Sequence, residues 1–266
     1  MVTLNERRQQ FRALHETGTF IIPNPYDVGT ARILEALGFK ALASTSQGFA
    51  ATLGRMDMET TRDELVAHIA AMAAATDLPL NVDAERCFAD TDAGVAETVQ
   101  LLADAGAAGI SIEDWNPVTD AIDPIEVSTS RVAAAARVAR ANGIILTARC
   151  ENHLHGISNL DDTIARLCAY RDAGAEAVYA PLLADLAAVE RVVTEVGLAV
   201  NVLLVPGGPT VAQLGAVGVR RVSVGSLLSK AALGAFVNAA QGLLDGGQLP
   251  ANTSLVSRDL IVRAFG

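Results

Sequence analysis

The chain has 266 residues, of which 51% are hydrophobic and only 4% aromatic, and 30 acids against 20 bases leave a net charge of −10. This is a globular composition, long enough to bury a sizeable core, and without a basic patch it argues against nucleic acid or an anionic membrane as partner. The cysteines Cys87, Cys150 and Cys168 are odd in number and form no CxxC pair, which fits reduced thiols in a cytoplasmic protein better than a disulfide framework.

The first stretch, "MVTLNERRQQFRAL", has no apolar signal core and predicts an ordinary helix with Thr3 and Glu6 at capping-box spacing. Short apolar or β-branched runs then recur: "TFII" (19–22), "KALAST" (40–45), "PLNVD" (79–83), "GISIED" (109–114), "IILTAR" (144–149), "AEAVYA" (175–180), "LAVNVLL" (198–204) and "RRVSVG" (220–225). Between them lie segments of helical period at 61–76, 90–106, 130–143, 160–174 and 212–218, several ending in glycine. Strands that are apolar throughout are covered on both faces. Eight strand-helix units in one chain of this length predict a single-domain (β/α)8 barrel over residues 1–266. The runner-up, an open doubly wound sheet, expects a glycine-rich turn after its first strand, and "IPNPYDVGTA" is not one. Residues 243–266 read as a short C-terminal tail that packs on the barrel or pairs across an interface. No apolar run approaches the ~20 residues of a membrane span.

Chemistry in such a barrel gathers at the C-terminal strand ends. Here those ends carry Ser44-Thr45-Ser46-Gln47, then Asp83 and Glu85, then Glu113 and Asp114, then Arg149 and Glu151, and Asn201 on the seventh run. Carboxylates from neighbouring strands at one mouth repel unless something neutralises them, and a hard divalent cation does so. Arg149 supplies a fixed positive fork for a substrate carboxylate or a developing oxyanion. The plain alternative is a solvated rim with structural ion pairs.

These residues resemble the isocitrate lyase/phosphoenolpyruvate mutase superfamily over about residues 20–235. The similarity is carried by "PNPYDVGTARILEALGFKAL", "TSQGFAATLGRMD", "DAERCFAD", "ISIED" and "TARCEN", in that order. The resemblance implies a Mg2+-dependent barrel enzyme, with Mn2+ as the substitute ion, acting on 2-oxo acids or related carboxylates. By position, Asp83 would bind the metal, while Glu85, Glu113 and Asp57 would hold its waters. Thr45, Ser46 and Gln47 would seat the substrate carboxylate, Arg149 would stabilise charge on it, and Asn201 would stand near it. Homo-oligomers, dimers or tetramers with an exchanged C-terminal helix, are implied too.

The chain also departs from that pattern. Glu85 replaces an aspartate, and Cys87 and Ala89 stand where the motif has glycines. The segment "WNPVTDAIDPIEVSTSR" (115–131) lacks the Lys, Cys and His of the lyases' mobile loop. What survives is a metal site and a carboxylate seat. That is enough for a carbon–carbon lyase or decarboxylase that works through a metal-bound enolate. Alternatives are a phosphonate C–P hydrolase or mutase, a phosphate-binding barrel using "VPGGPT" and "VGS", and a silent 2-oxo acid binding protein. For acid/base work His153 and His155 are candidates, since histidine titrates near neutral pH. Cys87 follows the metal motif and is a further acid/base candidate or else a small buried side chain, Cys150 reads as structural, and His15 and His68 on predicted helices read as ordinary. Glu151 is a candidate to orient Arg149 or a histidine. Trp115 and Asn116 are candidates to line the mouth.

Overall fold

In the computed structural model, which describes residues 2–266, helix α1 (Leu4–Leu14) opens with the capping box the sequence predicts. There Thr3 accepts from the Glu6 N–H while the Glu6 carboxylate accepts from Thr3. The chain continues through β1 (Phe20–Ile22), α2 (Val28–Ala36), β2 (Leu42–Ala43), α3 (Ser46–Thr52), α4 (Arg62–Ala75), β3 (Leu80–Asp83), α5 (Asp92–Asp104) and β4 (Gly109–Glu113). A hairpin of β5 (Trp115–Asn116) and β6 (Ala121–Ile122) follows. Then come α6 (Ile125–Ala141), β7 (Ile145–Arg149), α7 (Leu160–Asp172), β8 (Ala177–Tyr179), α8 (Leu186–Val196), β9 (Ala199–Leu203), α9 (Val211–Ala216), β10 (Arg221–Ser223), α10 (Leu227–Gly246) and α11 (Arg258–Phe265).

Eight parallel strands run in the order β1-β10-β9-β8-β7-β4-β3-β2. The remaining seam, β1 to β2, is bridged by the Ala43 N–H donating to Pro23 O at 3.0 Å. Asn24 locks the same corner: its amide donates to Ser44 O at 2.9 Å, and its oxygen accepts from the Val224 and Gly225 N–H groups. The result is the expected (β/α)8 barrel, with all eight runs forming strands. The hairpin sheet lies outside the barrel.

Two apolar clusters hold it together. The large one fills the layer between strands and surrounding helices. The small one plugs the inside of the barrel at its N-terminal end and includes Phe11, Ile22, Ala43 and Ile145. Gly109 is required there, because a Cβ would collide with the Phe11 ring and the Asn81 amide oxygen. Phe11, His15 and Phe20 pack edge-on, with His15 ring centroids 4.6 Å from Phe11 and 5.0 Å from Phe20. His15 is therefore not an ordinary surface histidine. Its Nδ1 bonds Phe11 O at 2.8 Å and its Nε2 faces Arg221 Nη1 at 3.4 Å.

Helix α6 starts at Ile125, directly after Pro124, so most of 115–131 is hairpin and helix. The stretch expected as a tail begins inside α10, and the chain ends in α11, which packs against α2. By length and composition α10 is long and apolar enough to cross a membrane. Its spaced Lys230, Asn238, Gln241 and Asp245 break every run short, so the helix is apolar only as a sum. Of its residues only Ser229 is buried.

Burial and the neighbouring Arg221 push the His15 imidazole down to about 3, below the ordinary 6.5. Unfolding then takes up a proton between those two values, so His15 withdraws stability as pH falls through that window. Thermal melts from pH 7 to pH 4 should fall more steeply for the native chain than for His15→Gln. Parallel slopes would show that the plug does not sense protonation.

Candidate active site

The strands lift their last inward residues into a cavity of about 490 Å³ at the C-terminal mouth. Of the sequence-derived candidates, Thr45, Ser46, Gln47, Asp57, Asp83, Arg149 and Asn201 line it. Register explains the convergence of the charged ones. Asp83 pairs with Ser111, and Glu113 pairs with Arg149 across β4 and β7.

Arg149 is the centre of the charge. Its Nη1 meets Asp83 at 2.6 Å, its Nη2 meets Glu113 at 3.1 Å and its Nε meets Glu151 at 2.8 Å. Three carboxylates from three successive chain segments thus fix one guanidinium, and its plane lies 5.5 Å from the Tyr179 ring centre. Such a network is costly to desolvate, and removing the cation would strand three acids. Asp83 is held from the other side too, since the Ser46 N–H donates to its second oxygen at 3.1 Å and Ser44 Oγ accepts from the Asp83 N–H at 2.9 Å.

Glu113 and Glu85 stand behind this front rank. Glu113 is 8% exposed and reaches the mouth through Arg149. Burial raises its carboxyl well above the usual range, and Arg149 opposes that. Glu85 is pushed up to about 8, first by burial and then by Asp83 and Asp57. The loop that carries it is strained: Glu85, Cys87 and Phe88 have φ of 48°, 59° and 50°. Cys87 therefore keeps a left-handed backbone that glycine would adopt freely, and its side chain is buried as expected.

The paired acids of "IED" divide their labour. Asp114 turns away from the mouth, accepting from Tyr170 Oη at 2.6 Å and from the Glu151 N–H at 2.8 Å, with Arg166 at 3.4 Å. Strand alternation demands this, because adjacent side chains face opposite sides. His153 and His155 are not brought to the cavity, which Leu154 lines between them. His153 lies 3.3 Å from Thr163 Oγ1, and His155 stacks on Trp115 with ring centres 3.4 Å apart. Trp115 and Asn116 do not line the mouth either. Asn116 bonds Asp123 at 3.0 Å inside the hairpin.

Sequence reasoning passed over Tyr179, Asn81 and Arg221, which also line the cavity. The signal was present: Asn81 and Arg221 are polar residues two positions before the inward Asp83 and Ser223, hence on the same faces.

The donor chemistry suits Mg2+. All candidate ligands are carboxylates; burial and, after it, Asp83 and Asp57 raise Glu85, and a divalent cation relieves that repulsion. Among the described residues no three acids or histidines converge at ligand distance.

The model of the phosphoenolpyruvate phosphomutase family matches residues 11–244. The chain belongs to that family. This phosphomutase-family chain is 46% identical to a candidate lyase/mutase from Burkholderia cenocepacia J2315, whose crystal structure superposes with a TM-score of 0.93 over 98% of this chain and 96% of that one. It is 35% identical to an uncharacterized protein of Mycobacterium tuberculosis (strain ATCC 25618 / H37Rv), over 90% of this chain and 91% of the relative. It is 28% identical to the oxaloacetate decarboxylase of Rhodopseudomonas palustris (strain TIE-1), over 96% and 91%.

Tyr170 is fully buried, so Tyr170→Phe leaves Asp114 one donor short. A loss of about 1–3 kcal/mol in urea unfolding is expected. An unchanged midpoint would show that Arg166 and the Glu151 N–H satisfy Asp114 alone.

Proposed function

We propose that this phosphomutase-family chain is a Mg2+-dependent carbon–carbon lyase or decarboxylase acting on a 2-oxo acid. The observation that carries this is the Arg149 guanidinium, held by three carboxylates beside a seat lined by Thr45, Ser46 and Gln47. Asp83 would hold the metal directly, and Asp57, Glu85 and Glu113 would hold its waters. A divalent ion bound there would neutralise the acids and supply Lewis-acid stabilisation to a developing enolate. The similarity to an oxaloacetate decarboxylase supports the reaction class.

The chain's own groups complete the chemistry. The Gln47 backbone N–H and the Thr45–Ser46 turn receive the substrate carboxylate. As the bond at C3 breaks, its electron pair moves into the C2–C3 bond and charge grows on the 2-oxo oxygen, which Arg149 stabilises without reorganising. The enolate carbon then needs a proton. We assign that step to Tyr179, which lines the cavity beneath Arg149 and carries a hydroxyl proton at neutral pH. Solvent at the mouth reprotonates the phenolate.

We also infer that a second copy of the chain covers α10. Leu233, Phe236, Val237 and Leu244 are 49%, 70%, 61% and 81% exposed along one helix. Such a contiguous apolar surface marks an interface.

Proton NMR of oxaloacetate with Mg2+ should show pyruvate forming well above the metal-only rate, and EDTA should abolish it. Arg149→Lys should lose about 10²–10³-fold in kcat/KM. Turnover that survives EDTA would overturn the metal role. Tyr179→Phe should lower kcat by roughly 10²-fold with little change in KM; equal losses in both would make Tyr179 a binding group. In sedimentation velocity, Phe236→Asp should move the chain toward monomer. A native chain that already sediments as a monomer would refute the interface.

A further inference from the structure

We infer that the floor of the cavity is a subsite for a second anionic oxygen group of the substrate, a distal carboxylate read by Arg221 and Asn81. This deepens the proposed function and takes the Asp83–Arg149 mouth as the seat of the 2-oxo end.

Arg221 lies inside the barrel and is 3% exposed. Its partners are all neutral: Nε donates to Asn201 Oδ1 at 3.0 Å, Nη2 to Thr147 Oγ1 at 2.9 Å, and Nη1 faces His15 Nε2 at 3.4 Å. Among the described residues no carboxylate reaches it. Arg149, three strands away on β7, has three. A guanidinium carries five N–H groups, so two remain for a ligand. A buried charge without a counter-charge is unfavourable, and a carboxylate is the group whose geometry a guanidinium matches.

Asn81 is the second, independent observation. It is 4% exposed, and its amide oxygen has no hydrogen-bond partner. That oxygen lies toward Gly109, so the amide N–H groups are the ones left to donate to a carboxylate. Asn81 precedes Asp83 by two residues on β3, which places it on the same face and about 6–7 Å deeper. Both floor groups line the same cavity as Asp83 and Arg149. One ligand can therefore touch mouth and floor together.

The α1 plug closes the barrel below this floor. A fragment released there could leave only past the rest of the substrate. The group held on Arg221 is thus a carboxylate other than the one lost from C3, and oxaloacetate, which has no such further group, would occupy the mouth alone.

The test is calorimetric binding in Mg2+ of 2-oxoglutarate and 2-oxovalerate, which share the 2-oxo head and chain length and differ in the distal carboxylate. The native chain should prefer 2-oxoglutarate by roughly ten- to a hundred-fold. Arg221→Met should reduce that preference to about three-fold or less. Asn81→Leu, close in volume and uncharged, should reduce it partway, and carries the test if Arg221→Met fails to fold. Equal native affinities for both acids, or a preference that survives both variants, would overturn the floor subsite while leaving the mouth intact. If neither acid binds in Mg2+, the mouth and the floor fail together.

Discussion

The rest of the site depends on one guanidinium, that of Arg149, at the mouth of the barrel. Arg149 ties Asp83, Glu113 and Glu151 into a single network, at distances of 2.6, 3.1 and 2.8 Å. Without that charge, three acids would crowd one mouth, and like charges held this close are strongly disfavoured. With it, the top of the barrel becomes a rigid electrostatic frame. Asp83 is fixed by Arg149 on one oxygen and the Ser46 N–H on the other, so the carboxylate that would meet a metal cannot swing away. The frame is preorganised at the point where negative charge would grow on a 2-oxo substrate, which is where fixed dipoles and charges help a reaction most.

Beneath this frame the barrel interior changes character with depth. The lowest layer is apolar and closed by Phe11 and its neighbours. Above it runs a band of Asn81, Ser111, Thr147, Asn201 and Arg221, all buried. A barrel core made only for stability would fill that level with branched apolar side chains. Here a polar band links the plug, through His15 and Arg221, to the cavity floor. Packing and ligand recognition therefore share the same strands, and the N-terminal helix helps to position a residue inside the site.

The eight strands were legible because strands covered on both faces are mainly apolar, and the runs from "TFII" to "RRVSVG" recur between helical segments. Asp83, Arg149 and the Thr45–Gln47 seat were legible because in-register strands end at one mouth. His153 and His155 misled because titration range says nothing about direction. The loop turns one toward Thr163 and the other onto Trp115, and only Leu154 between them faces the cavity. Asn81 and Arg221 were overlooked because a polar residue inside an apolar run is easily taken as noise. Their period-two relation to Asp83 and Ser223 was the available clue.

By itself the sequence determined the alternation of strand and helix, the closure of eight units into a barrel, and the identity of the charges at the mouth. These follow from local periodicity and from the geometry of parallel strands, both written in residue order. Only the tertiary structure decided which acids share Arg149 and which, like Asp114, serve Tyr170 and Arg166 instead. Only there does Arg221 prove to have no counter-charge among the described residues. Partnership between side chains depends on the stagger of neighbouring strands and the direction of each Cβ, and those are fixed when the sheet closes, not along the chain.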